Sequence, residues 1–252
     1  MKTIDSSAQL EKLLTRKREF TGLNFEGFEW PDQAEELKFN LCRFVDVVFR
    51  DKEILDCEFS DCEFDSCRFD SARISDCTFR KCKFYNTESE AGCSFKFASF
   101  PGTSFIQSDL SMCNFSRANL YRIEMDQCQA TGMDCSYATI AQSIGGSVTL
   151  NSARLSDCNF SYADFTGAWL CEAELPENRF SHTVFNNANL ENAELTDCDL
   201  HGIEARGVIL KGADIRGAMI SGLDVREIDM TGVRISDYQQ SVLLEAIGIV
   251  ID

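Results

Sequence analysis

Large apolar residues recur at every fifth position along most of this chain. Between residues 39 and 84 the series is Phe39, Phe44, Phe49, Ile54, Phe59, Phe64, Phe69, Ile74, Phe79 and Phe84. Two places before each centre the residue is usually Cys or Ala, as in Cys57-Glu58-Phe59, Cys62-Glu63-Phe64 and Ala72-Arg73-Ile74. The pattern returns in Ala163-Asp164-Phe165, Ala188-Asn189-Leu190 and Ala193-Glu194-Leu195. A period of five suits neither regular element. On a helix it rotates around the axis and leaves no apolar stripe. On a flat strand an odd period sends successive large residues to opposite faces. Both conflicts vanish if the chain turns a corner after each pentad, so that every centre points to one axis. The prediction is an all-β solenoid whose coils stack through strand-like hydrogen bonds.

The register breaks twice. After Phe84 the next centre is Phe95, and the intervening Tyr85-Asn86-Thr87-Glu88-Ser89-Glu90-Ala91-Gly92 is polar and ends in Gly, which predicts a loop over 85–92. The register holds from Phe95 to Met125, weakens at Ala130 and Cys135, and fails within Ala141-Gln142-Ser143-Ile144-Gly145-Gly146-Ser147 before resuming at Leu155. This predicts a second excursion of about three pentads over 141–153, with a degenerate coil that stays in phase as the alternative.

The ends change character. Leu10, Leu13 and Leu14 suggest a short N-terminal helix, and Phe20, Phe25 and Trp30 an imperfect first coil, so residues 1–36 read as a cap. The repeat proper spans 37–235. In 236–252, Ser236 followed by Gln239 has capping-box form. Val242, Leu243, Leu244 and Ile247 then make a helical stripe, with Gly248 as its stop. The apolar tail from Ile249 has no obvious partner within one chain. Together with Tyr238 and the stripe it forms the predicted contact of a homodimer.

Charge sharpens the picture. A net charge of -17 disfavours nucleic acid as a ligand, because phosphate binding needs Lys and Arg. Residues 1–92 carry 20 acids against 14 bases, whereas 157–204 hold ten acids and one base, Arg179. Counting in twenties, as four pentads per coil requires, places Asp157, Glu174, Glu177, Glu194, Asp197 and Asp214 on one face, with Arg154, Arg216 and Arg234 among them. That acidic face is the candidate site for a basic partner. No stretch approaches the roughly 18 apolar residues of a membrane span, and residues 1–10 lack the apolar run of a signal peptide. No membrane is expected as partner, and a cytoplasmic location is.

Thirteen cysteines are present, and eleven stand two before an apolar centre, a slot otherwise held by Ala. They read as small reduced core residues, stacked in ladders such as Cys42, Cys62 and Cys82, and not as zinc ligands, which must converge tetrahedrally. His182 and His201 are the two histidines, and no nucleophile, metal or phosphate-loop pattern surrounds them. No cofactor or metal and no enzymatic activity are expected.

The unit (Ala or Cys)-(Asp or Asn)-(Leu or Phe)-x-x resembles the pentapeptide-repeat family. Residues 82–93, Leu110-Ser111-Met112, Leu175-Pro176-Glu177-Asn178-Arg179-Phe180 and the ending 237–249 further resemble its Qnr-type members. The resemblance covers roughly 44–252, and this chain is longer at its N-terminus. It implies a right-handed quadrilateral β-helix of about twenty residues per coil that dimerises through its C-terminal ends. It also implies a DNA mimic that binds DNA gyrase or topoisomerase IV, protects the enzyme from quinolones, and uses two loops in doing so. About 9.5 coils at roughly 4.8 Å make a rod of roughly 45 Å. The seventeen net charges then fall about one per 2.7 Å, against about one per 1.7 Å in duplex DNA. A repeat scaffold with another basic protein partner is the alternative.

Overall fold

The computed structural model describes residues 2–144 and 148–249. The chain forms a right-handed four-sided β-helix with two excursions and a C-terminal helix. Each side is one pentad, and each pentad contributes one rung to a parallel column. The first face runs Glu19, Lys38, Glu58, Thr78, Ser104, Glu124, Arg154, Glu174, Glu194, Asp214, Arg234. Sequence separations along such columns are 20 in regular coils. They rise to 26 across the first excursion and 30 across the second.

The core explains the period. Inward centres stack on their equivalents one coil away, with Phe44–Phe64 and Phe64–Phe84 centroids 4.6 Å apart and their rings nearly parallel. Neighbouring faces meet edge-on, as Phe59–Phe64 do at 5.6 Å and 65°. Offset stacking along the axis and T-shaped contacts across it are the two favoured aromatic geometries, so a square coil satisfies both.

The slot two before each centre is small for the same reason: it points into the coil beneath the corner. It also carries a hydrogen bond. Cys62 Sγ donates to Phe39 O at 3.5 Å, and Thr103, Asn178 and Thr183 use their side chains likewise on Ile74, Leu155 and Phe160 carbonyls. Cys therefore does more than fill volume, since it offers a weak donor to a buried carbonyl. All 13 cysteines are free and buried. Burial pushes the Cys198 thiol up to about 12 and raises Cys135 as well, which keeps these groups protonated and unreactive near neutral pH.

Most corners turn through a residue with positive φ two places after the centre, including Asp56, Asp61, Asp157, Glu177 and Asp197 at 51–60°. Asp, Asn and Gly tolerate this left-handed conformation best, which accounts for their recurrence there.

At the N-terminus Lys2–Ile4 pairs in parallel with Leu23–Glu26. Helix α1 (Ser7–Leu14) buries Leu10 and lays Leu13 and Leu14 against the core. Regular coils begin at Glu19, which pairs with Lys38. At the other end a 3-10 turn (Asp237–Gln239) leads into α2 (Gln240–Ala246). Buried Gln239 seals the junction. Its Oε1 accepts from Ser236 N at 2.7 Å, and its Nε2 donates to Ile215 O and Ala218 O at 2.9 and 2.8 Å. Among the described residues no helix is long and apolar enough to cross a membrane.

Candidate functional site

The sequence-predicted acids do share the first face, in two columns. Glu174, Glu194 and Asp214 follow one another as bridge partners along its middle. Asp157, Glu177 and Asp197 stack along the corner that follows, each exposed and each with positive φ. Asp157 N donates to Pro176 O and Glu177 N to Thr196 O, which locks the corner carboxylates into successive coils.

The columns differ electrostatically. In the middle column Arg154 bridges Glu174 at 2.8 Å, and Glu194 accepts from Thr196 Oγ1 at 3.1 Å. Asp214 departs from the expectation of an outward acid. It is only 8% exposed and is held between Arg216 at 2.7 Å and Arg234 at 3.1 Å. The hydrogen bond from Arg216 keeps its carboxyl below the usual range, so it stays ionised but neutralised by two guanidiniums. Among the described residues none of Asp157, Glu177 and Asp197 enters an ion pair. All three corner acids are therefore without an ion pair, whereas in the middle column Glu174 and Asp214 are paired and Glu194 alone is not.

One acidic column escaped the sequence reading. Glu36, Asp56 and Asp76 occupy one corner of successive coils, all exposed and with φ of 51–54°. Balanced charge over 1–92 hid them. Their spacing of twenty was the available signal, and the bases of that half sit on other columns, pairing as Lys38–Glu58 and Arg43–Asp65.

Both predicted excursions leave the rod at corners. The first is a hairpin in which Tyr85–Asn86 pairs antiparallel with Ala91–Gly92, closed by Cys93 N to Phe84 O at 3.0 Å. Asn86 Oδ1 accepts from Glu88 N and Ser89 N and so braces the tip, where Thr87, Glu88, Ser89 and Glu90 are exposed. The second is a hairpin of Ala141–Ile144 with Val148–Asn151. Gln142 and Ser143 are exposed on its first strand, which ends at Ile144, whereas Gly145, Gly146 and Ser147 lie outside the described residues. Register resumes at Ala153, opposite Ile123, with a separation of 30, so the excursion falls within the 141–153 span and inserts ten residues into its coil.

At the C-terminal end the apolar stripe divides. Val242 and Leu243 pack on the last coil, and Leu244 is half-buried. Tyr238, Ile247 and Ile249 stay exposed at this end of the chain. Among the described residues no group of three or more His, Cys, Asp or Glu side chains converges as a metal site.

The geometry agrees with what the chain is similar to. The profile "Pentapeptide repeats" matches in eight copies over residues 91–128, 147–175, 179–212 and 194–232. Pentapeptide repeat protein QnrB4 of Escherichia coli is 34% identical over 95 residues, which are 38% of this chain and 44% of that protein. Quinolone resistance pentapeptide repeat protein QnrB96 of Scandinavium goeteborgense matches equally, so the chain aligns with less than half the length of these relatives. Among solved structures, full-length QnrB1, described as a plasmid-mediated fluoroquinolone resistance protein, superposes with a TM-score of 0.66 at 28% identity. That match covers 86% of this chain and 100% of QnrB1. HetL of Nostoc sp. strain PCC 7120, at 16% identity and a TM-score of 0.51, shares the fold alone. With its five-residue register, its square coils and these matches, this chain carries pentapeptide repeats and is similar to the QnrB quinolone-resistance proteins.

Proposed function

We propose that this protein binds a bacterial type II topoisomerase, DNA gyrase or topoisomerase IV, in place of DNA and relieves its inhibition by quinolones. The observation that carries this reading is the unpaired column Asp157, Glu177, Asp197 on a rigid rod that aligns with the whole of QnrB1. Coil spacing sets successive carboxylates of that column about 4.8 Å apart. A surface that binds duplex DNA through its phosphates meets a comparable line of fixed negative charge. The role is binding and not catalysis. Supercoiling by purified gyrase, with and without a quinolone and with increasing amounts of this protein, tests the proposal. Restored supercoiling in the presence of drug supports it. A protein that neither binds gyrase or topoisomerase IV at low salt nor changes drug inhibition leaves the alternative of a scaffold for another basic protein.

The acids define a sharper experiment. Replacing Asp157→Asn, Glu177→Gln and Asp197→Asn together is expected to weaken topoisomerase binding about tenfold at low salt and to flatten its salt dependence. The fold should be unchanged, because these side chains are exposed and unpaired. Circular dichroism and a binding titration at two salt concentrations check both halves. Unaltered affinity would move the contact to another face.

We further propose that two copies join through their C-terminal ends. Tyr238→Glu, Ile247→Glu and Ile249→Glu alter only exposed side chains and spare Gln239, Val242 and Leu243, which close the coil. Sedimentation should then report monomers where the parent gives dimers. A variant that still sediments as a dimer places the contact elsewhere.

A further inference from the structure

The third face, two corners on from the first, has the outward column Arg68, Ser94, Asn114, Asp134, Asp164, Val184, and bulky side chains stand along both its edges. Phe97, Met112, Tyr137 and Tyr162 occupy corner positions, are 51–65% exposed, and have φ of 55–61°. Bulky residues adopt this left-handed conformation at a cost of order 1 kcal/mol each. Equivalent corners in neighbouring coils are occupied by Gly132, Gly167 and Asn187, which bear it readily. On one side they touch the next coil, Tyr162 stacking on His182 at 5.3 Å and Met112 and Tyr137 lying over Gly132 and Gly167, while the rest of each side chain stays in solvent, a second cost.

Their placement is ordered. Met112 and Tyr162 flank the corner that leads into the third face, and Phe97 and Tyr137 the corner that leaves it. Between them Asp134 and Asp164 are bridge partners on adjacent coils. Asp134 accepts from Asn114 Nδ2 and Ser136 N, and Asp164 from Thr166 N, yet among the described residues neither enters an ion pair. One ring on this face already holds a guanidinium, that of Arg117, 4.9 Å from the Tyr137 centroid. The first excursion springs from the same edge, since a side chain on Gly92 would meet the backbone of Met112 and Cys113.

We propose that this strip of the third face docks an extended, arginine-bearing segment of a protein partner, with guanidiniums lying on the exposed ring surfaces at its edges and paired to Asp134 and Asp164. Arginine is specified over lysine because a planar guanidinium both stacks on a ring and pairs bidentately with a carboxylate. The strip lies on a different face from the Asp157 column and does not depend on the topoisomerase reading.

The test uses the full chain and two fluorescent peptides, nona-arginine and nona-lysine, titrated at about 0.15 M salt, where exposed single charges are screened beyond roughly 8 Å. The parent is expected to bind nona-arginine about fivefold more tightly than nona-lysine. Combined Phe97→Asn, Met112→Asn, Tyr137→Asn and Tyr162→Asn should abolish that preference and leave the thermal midpoint unchanged or higher. Asp134→Asn with Asp164→Asn should weaken both peptides. The Asp157, Glu177 and Asp197 variant should keep the preference. Equal binding of the two peptides by the parent, or a preference that survives the aromatic substitutions, would overturn the proposal. So would its loss in the Asp157 column variant. A midpoint several degrees lower in the aromatic variant would instead assign these side chains to stability and also refute it.

Discussion

A chain lacking residues 86–91 and 142–151 is expected to keep its fold and lose its effect on quinolone inhibition. The expectation rests on the register. Column separations of 26 and 30 against 20 mean that the excursions insert six and ten residues. Removing 86–91 leaves Tyr85 and Gly92 between Phe84 and Cys93, and removing 142–151 leaves Ala141 and Ser152 between Ile140 and Ala153. Two residues between a centre and the next inner slot is the ordinary corner, so both columns close without a gap. Shortening surface connections costs little and commonly gains in loop entropy, so the thermal midpoint should move by only a few degrees. The acidic columns are untouched, and binding should fall by no more than about threefold. If the excursions act on the drug-stalled enzyme, the concentration needed to restore supercoiling should rise about tenfold or more. Binding and supercoiling measured on the same preparations separate the two effects. Undiminished protection by the double deletion would remove the excursions from the mechanism.

Phe64→Ala should destabilise the rod by about 3–5 kcal/mol. Phe64 is 2% exposed and lies between the parallel rings of Phe44 and Phe84, with Phe59, Phe69 and Phe79 edge-on around it. Its loss leaves a ring-sized void that neighbours cannot fill, since each is held by its own stack and by backbone bonds to coils on either side. Because each coil touches only its neighbours, the damage should be local: coils near residues 44–84 should open at lower denaturant than those beyond 155. Hydrogen exchange resolved along the chain checks this. Loss of protection spread evenly over all coils would contradict the nearest-neighbour picture. Phe165→Ala is a useful control, because fewer rings surround it, with Phe160, Phe180 and Phe185 as its aromatic contacts.

The chain's own letters determine a great deal here, because the five-residue period has one geometric solution. Phe64 must point inward, Cys62 must sit small beneath the corner, and both excursions must fall where the period fails, at 85–92 and 141–152. Counting in twenties likewise brings Asp157, Glu177 and Asp197 into one column without any coordinates. What counting does not supply is the state of each charge. Asp214 and Glu194 occupy equivalent rungs, yet Asp214 is buried between Arg216 and Arg234 while Glu194 faces solvent. The difference arises from two guanidiniums whose reach depends on side-chain conformation, two residues on and one coil beyond. The hairpin pairing inside the excursions was equally out of reach, because eight polar residues satisfy their backbone bonds in several ways and only closure on Phe84 O and Cys93 N selects one. The division of the C-terminal stripe has the same origin. Val242 and Leu243 are covered and Ile247 is not because Gln239 fixes the helix on the Ile215 and Ala218 carbonyls, a tertiary contact across more than twenty residues that no local pattern encodes.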